Sequence, residues 1–243
     1  MFGDQRYREA AIRGMDFYII SQTGYPQGGW SEQYSHDMQP AQARSYEPAG
    51  VYTGTTLRCI RDLERFYMMT GDTRYLNPID RAITWLENSV INTDPSKKYT
   101  HAYIYETGSN TPIYSHRYGT SIDNGGYVVD YTMGDPVCHY PQVTTVDVDK
   151  VKEEYRRIAA MTPEQALEEY MKITGPDSTP CDNEKITDLV NSLDSRGAWV
   201  TDVRIPNYDN TCANKRQGTV IQGVDTRVFV QNMYELMRCV GKK

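Results

Sequence analysis

Apolar positions recur every three to four residues in one early stretch of the chain. Leu57, Ile60, Leu63, Phe66 and Tyr67 fall at helical spacing within Tyr52 to Thr70, which predicts an amphipathic helix there. Gly71-Asp72 follows as a helix stop and a new start. Around this helix two segments match at an offset of 68 residues: Asp4/Asp72, Arg6/Arg74, Tyr7/Tyr75, Arg13/Arg81 and Phe17/Trp85. A repeat of that length suits helical hairpins stacked side by side. Helical patterns return over 148–174, where Thr162-Pro163-Glu164 marks a start, and over 182–194. A last one runs from Asp225 to Val240, with Val228, Met233, Leu236, Met237 and Val240 on one face.

Between these the pattern changes. Tyr99 to Tyr140 is rich in Tyr, Gly, Thr and Ser, and Asn124-Gly125 is a hairpin signal before Tyr127-Val-Val-Asp-Tyr131. A small β-hairpin or layered loops are expected there, with a short strand at Ala198-Trp199-Val200. The fold expected is therefore all-α: helical hairpins in a complete or partial α/α toroid with a minor β region. Residues 1–243 read as one domain carrying a charged helical insertion at about 141–195. An incomplete toroid would leave apolar helix faces open, which favours self-association.

Composition narrows the function. No run of about 18 apolar residues occurs, so no membrane span is expected. The first residues are charged and polar, and no signal peptide is visible. The net charge of −6 argues against general nucleic-acid binding. It is concentrated in 141–195, where twelve acidic residues face six basic ones. Within 1–120, ten Arg stand against two Lys, and Arg is the fork-shaped cation suited to carboxylates. The five cysteines form no C-x-x-C, so zinc is not expected. Cys181 and Cys212 lie in loop-like segments that could pair; scattered free thiols are the simpler alternative. His36, His101, His116 and His139 show no i, i+4 metal spacing.

The segment richest in chemistry is Gly28-Gly29-Trp30-Ser-Glu32-Gln33-Tyr34, then Ala43-Arg44-Ser45-Tyr46-Glu47-Pro48, in a loop of about 28 residues between helices. Gly-Gly before Trp30 would let the backbone turn and offer an aromatic face to a sugar ring. The competing readings are an ordinary core Trp30 and a structural Arg44–Glu47 ion pair. Paired carboxylates, Glu47 with Asp37, would instead suit a toroidal glycoside hydrolase.

These segments resemble the second half of the family-10 pectate lyases. The similarity includes Gly-Gly-Trp-x-x-Gln-Tyr and Gln39-Pro40-Ala41-x-Ala43-Arg44-x-Tyr46-Glu47-Pro48, then Thr111-Pro112-Ile113-Tyr114-Ser115-x-Arg117-Tyr118-Gly119. It closes with Ala198-Trp199 and Asp225-Thr-Arg227-x-Phe229-Val-x-Asn232-Met233. The resemblance implies a secreted or periplasmic polysaccharide lyase that cleaves polygalacturonate or a related uronate polymer by β-elimination. It makes Arg44 the proton-abstracting base and Arg117 a grip on a substrate carboxylate. Trp30, Gln33, Tyr34, Tyr46 and Glu47 would shape the subsites. Calcium is implied as well, yet the family's calcium-binding Asp residues lie ahead of the matched region, and no metal ligand is identifiable in this chain. Thr53-Gly54-Thr55-Thr56 stands where the family carries a Ser-Glu-Ser-type segment, and the family's Glu-Arg-Arg segment is not found after Arg117. A non-catalytic remnant that binds acidic glycans is the alternative.

Overall fold

The structure, a computed structural model, describes residues 5–118, 126–134, 136–137, 140–174, 180–206 and 218–240. It divides into two compact units, the first holding residues 1–119 and 124–173, the second residues 120–123 and 174–243.

The first unit begins with α1 (Gln5–Ile20), of which only Met15 is fully buried. A long loop leads to β1 (Val51–Tyr52) and directly into α2 (Thr53–Thr70). Helix α2 turns Ile60, Leu63 and Tyr67 inward, as its spacing predicts. It stops at Gly71, whose φ of 68° is the left-handed C-cap, with the Gly71 N–H donating to the Tyr67 carbonyl at 2.7 Å. Asp72 then caps a 3-10 turn at Thr73–Tyr75 by accepting from the Arg74 N–H. Helix α3 (Asn77–Asn88) starts with Pro78 and buries Ile79, Ala82, Ile83, Trp85 and Leu86. The 68-residue repeat thus falls on α1 and on the turn plus α3, but its copies differ in role: Trp85 is core, whereas Phe17 is exposed.

The all-α expectation is wrong. Among the described residues three antiparallel sheets are present, with 46% helix and 17% strand, a mixed α/β fold rather than a toroid of helical hairpins. The four-stranded sheet has the order β1, β3 (Ile104–Tyr105), β4 (Pro112–Tyr118), β5 (Gly126–Asp130). Its register places Val51 opposite Tyr105 and Ser115 opposite Val129. A second pair joins β2 (His101–Ala102) to β6 (Val143–Thr144). Strands two residues long carry no alternation to read, and β1 overlaps the segment assigned to a helix from Tyr52 onward at Tyr52. The hairpin expected near Tyr127 is real, as β4–β5, although Asn124-Gly125 itself lies outside the described residues.

Helices α4 (Val148–Ala159) and α5 (Pro163–Thr174) complete this unit and contribute Ile158 and Ala166 to its core. Asp147 caps α4 by accepting from the Lys150 N–H at 3.0 Å. Thr162 and Gln165 form a reciprocal box at the start of α5.

The second unit contains α6 (Asn183–Asn191), a hairpin of β7 (Thr201–Pro206) and β8 (Gly218–Gly223), and α7 (Thr226–Val240). The strand expected at Ala198–Val200 begins instead at Thr201. Trp199 is buried, donating Nε1–H to the Leu189 carbonyl at 2.8 Å and meeting Phe229 edge-on at 6.0 Å. Cys181 is bonded to Cys239, not to Cys212, which lies outside the described residues, as does Cys138. Cys59 is a buried free thiol. No helix among the described residues is long and apolar enough to cross a membrane.

Candidate functional site

The loop between α1 and α2 is anchored to the core at Gly28, Gly29 and Trp30. A Cβ on Gly28 would stand 2.5 Å from the Arg81 carbonyl oxygen, and one on Gly29 would meet Thr56 Oγ1 at 2.5 Å. The glycines are therefore required by close approach to α2 and α3, not by a turn that displays Trp30. Trp30 itself is 1% exposed. Its Nε1–H donates to the Tyr18 carbonyl at 2.7 Å, and its N–H donates to Thr56 Oγ1 at 3.1 Å. The expectation that Trp30 stacks on a sugar is overturned: its ring is closed off inside the core.

Gln33 and Tyr34 are half-buried and belong to the loop's own scaffold. The Gln33 carbonyl accepts from the Ala41 N–H at 3.0 Å. The Tyr34 hydroxyl accepts from the Ser31 N–H at 2.7 Å, and its ring meets Phe17 edge-on at 5.6 Å. Burial pushes the Tyr34 hydroxyl up to about 12.

Arg44 and Glu47 form a local clamp. Glu47, 3% exposed, accepts from Arg44 Nη1 at 2.7 Å and from the Arg44 N–H at 3.1 Å. The guanidinium is otherwise presented to solvent, with its side chain 68% exposed. The hydrogen bond and charge of Glu47 raise the Arg44 pKa above its ordinary value, with Tyr46 and Tyr140 adding to it. A guanidinium held protonated in this way is suited to receiving a carboxylate and unsuited to abstracting a proton.

Beside the clamp lies a group of half-buried tyrosines. Tyr46 meets Tyr127 at 5.0 Å and Tyr140 at 5.4 Å, and Tyr103 meets Tyr140 at 5.3 Å, all edge-to-face. The Tyr140 hydroxyl donates to Glu32 Oε2 at 2.9 Å, and the Tyr103 hydroxyl approaches Oε1 at 3.4 Å. Arg58, on α2, adds a weak ion pair to Glu32 at 3.5 Å. Burial, then the neighbouring Tyr52 and Glu32, drives the Tyr140 pKa up, so this hydroxyl stays a donor. Tyr46 is fixed through its carbonyl, which accepts from Ser115 Oγ at 2.7 Å. Gly54 leaves room for the Tyr103 ring, which a Cβ there would meet at 3.2 Å. Glu32 and Tyr127 fall in segments that the sequence singles out separately, Arg58 carries no signal, and the tyrosine-rich composition of 99–140 is the signal for Tyr103 and Tyr140.

Arg117 is half-buried on β4, opposite Tyr127 of β5. His116 next to it pairs with Asp130 at 3.0 Å. Arg44, Tyr46 and Glu47 are thus gathered at one face with Glu32 and the tyrosines, whereas Trp30, Gln33 and Tyr34 serve the loop's interior. Asp37 is exposed, and its carboxyl is held low by Ser35. For calcium, no group of three or more His, Cys, Asp or Glu suited to a metal occurs among the described residues, so no step is derived through that ion.

Comparison with protein-family models, with curated proteins and with solved structures finds no match to this chain.

Proposed function

We propose that the face built from Arg44, Tyr46, Tyr127 and Tyr140 binds an acidic, uronate-containing glycan such as polygalacturonate. The observation carrying this reading is the clamp: a buried Glu47 fixes an exposed, protonated Arg44 beside half-buried aromatic rings. A sugar carboxylate would take the guanidinium, and the pyranose faces would pack on the tyrosines. The motif resemblance extends the proposal to β-elimination, in which hydroxide at alkaline pH takes the proton next to the uronate carboxylate to form water. The C4–O bond breaks as the C4=C5 double bond forms, and the departing 4-linked sugar oxygen takes a proton from water. In such a reaction Arg44 neutralises the carboxylate charge and thereby acidifies that proton.

Isothermal titration of the protein with oligogalacturonate, together with ultraviolet absorbance of 4,5-unsaturated product at alkaline pH, tests both parts. Replacing Arg44 with Ala is expected to weaken binding by about tenfold or more, the effect of losing one charge-assisted contact. Undiminished binding by that variant would remove Arg44 from the site. Absorbance that rises with wild-type protein supports the lyase; binding with a flat trace supports the non-catalytic alternative.

A further inference from the structure

Glu64 lies on α2, away from the Arg44 clamp in sequence and in its partners. It is 4% exposed, and its Oε1 has no hydrogen-bond partner. A buried carboxyl oxygen without a partner is costly, and such exceptions occur where a ligand completes the site. Glu64 lines a cavity of about 320 Å³ between α2 and the start of α4. The cavity walls are apolar, from Leu57, Ile60, Val146 and Val151, and its rim carries Arg61 and Lys150. Neither of these two cations has an ion-pair partner among the described residues. The rim anion Glu154, by contrast, is occupied by Arg157 at 2.8 Å, and Asp147 is occupied in capping α4. The cavity lining therefore combines a buried carboxyl, two exposed cations without an ion-pair partner among the described residues, and apolar side chains.

We propose that this cavity binds a small apolar amino acid, its ammonium donating to Glu64, its carboxylate held by Arg61 and Lys150, and its side chain against Ile60 and Val151. Arg61 sits three residues before Glu64 on the same face of α2, which brings the two opposite charges to neighbouring positions, as the adjacent charges of an α-amino acid require. The volume lies in the range of small-molecule sites. The proposal is independent of the glycan reading.

The proton balance gives a signature. Burial raises the Glu64 pKa to about 7, with Glu154 adding to it and Arg157, Arg61 and Arg65 opposing; Tyr155 also faces it from α4. Below that pH the free protein holds a proton on Glu64 that an incoming ammonium must displace. Binding at pH 6 therefore releases a proton, and binding at pH 8 does not.

The test uses the full chain and calorimetric titration with leucine, with 3-methylbutylamine, which lacks the carboxylate, and with 4-methylpentanoate, which lacks the amine. Valine, methionine and phenylalanine extend the series of side chains. The expected result is saturable binding of at least one of these amino acids. Each deaminated or decarboxylated analogue should bind about tenfold more weakly or worse, and proton release should be seen at pH 6 in buffers of different ionisation enthalpy. Glu64→Gln keeps the shape and should lose at least about tenfold in affinity, with folding checked by circular dichroism. Arg61→Ala should weaken the amino acid while leaving the amine unchanged. Absence of binding by every amino acid, or binding that Glu64→Gln leaves intact, would overturn the proposal.

Discussion

Single residues decide most of the chemistry, and two of them separate sequence reasoning from structure. A Trp after two glycines reads equally well as a displayed platform or as a core anchor. Only the positions of Thr56 and Arg81, which make Gly29 and Gly28 obligatory, settle it for the core. Trp30→Ala should then cost about 3–5 kcal/mol in chemical denaturation, the range for emptying a buried Trp site. A loss under about 1 kcal/mol would mean that the ring is not core. Arg44 was legible both as a catalytic base and as half of a structural ion pair with Glu47, and the short contact makes it structural first. Glu64 gives a pH signature in stability as well as in binding. Its carboxyl titrates near the ordinary 4.5 when unfolded and at about 7 when folded, so the folded state holds the extra proton between these values. Glu64's contribution to stability therefore falls as pH rises from about 4.5 to 7 and is constant above. Glu64→Gln removes that slope and should make the protein more stable than wild type at pH 8, by a few kcal/mol at most. Urea midpoints at pH 5 and pH 8 measure this, and parallel profiles for the two proteins would contradict it.

Among the elements, those with a long period were readable and those without one were not. Helices α2, α4, α5, α6 and α7 fall where their spacing and caps place them, because each spans enough turns for the pattern to show. Strands β1, β2, β3 and β6 are two residues long, and each has a partner some forty or more residues away, so propensity had nothing to average. The tyrosine face is assembled from the loop before β1 (Tyr46), the residue between β2 and β3 (Tyr103), β5 (Tyr127) and the segment after it (Tyr140), which is why Tyr103 and Tyr140 escaped notice as site residues. The junction after α2 is a further point where local sequence and packing agree. Gly71 combines a φ of 68° with a position where a Cβ would come within 2.7 Å of Pro163 Cβ; Gly108 has a φ of 87° and open space. Gly71→Ala should therefore destabilise by more than the ~1–2 kcal/mol of backbone strain that Gly108→Ala incurs. Equal midpoint shifts for the two variants in thermal melts would show that Pro163 yields freely.

For the whole molecule, the largest error of sequence reasoning was the toroid. Helical hairpins were read from a repeat whose copies share residue types but not burial, and three antiparallel sheets stand among the helices of the described residues. In the second unit a disulfide closes a span of 58 residues, from Cys181 just before α6 to Cys239 in α7. Removing it by Cys239→Ser should cost that unit up to about 4 kcal/mol, on the chain-entropy estimate. Hydrogen exchange should show protection lost in α6 and α7 while α2 and α3 keep theirs; uniform loss would mean that the two units unfold as one. The central claim is that an exposed, protonated Arg44 among tyrosines recognises the carboxylates of a uronate glycan. The most direct measurement is the affinity of the protein for oligogalacturonate and for the same oligomer with its carboxylates methyl-esterified. Saturable binding of the charged oligomer is expected, falling by at least about tenfold on esterification and weakening with added salt. Equal affinity for the two oligomers, or binding of neither, would contradict it.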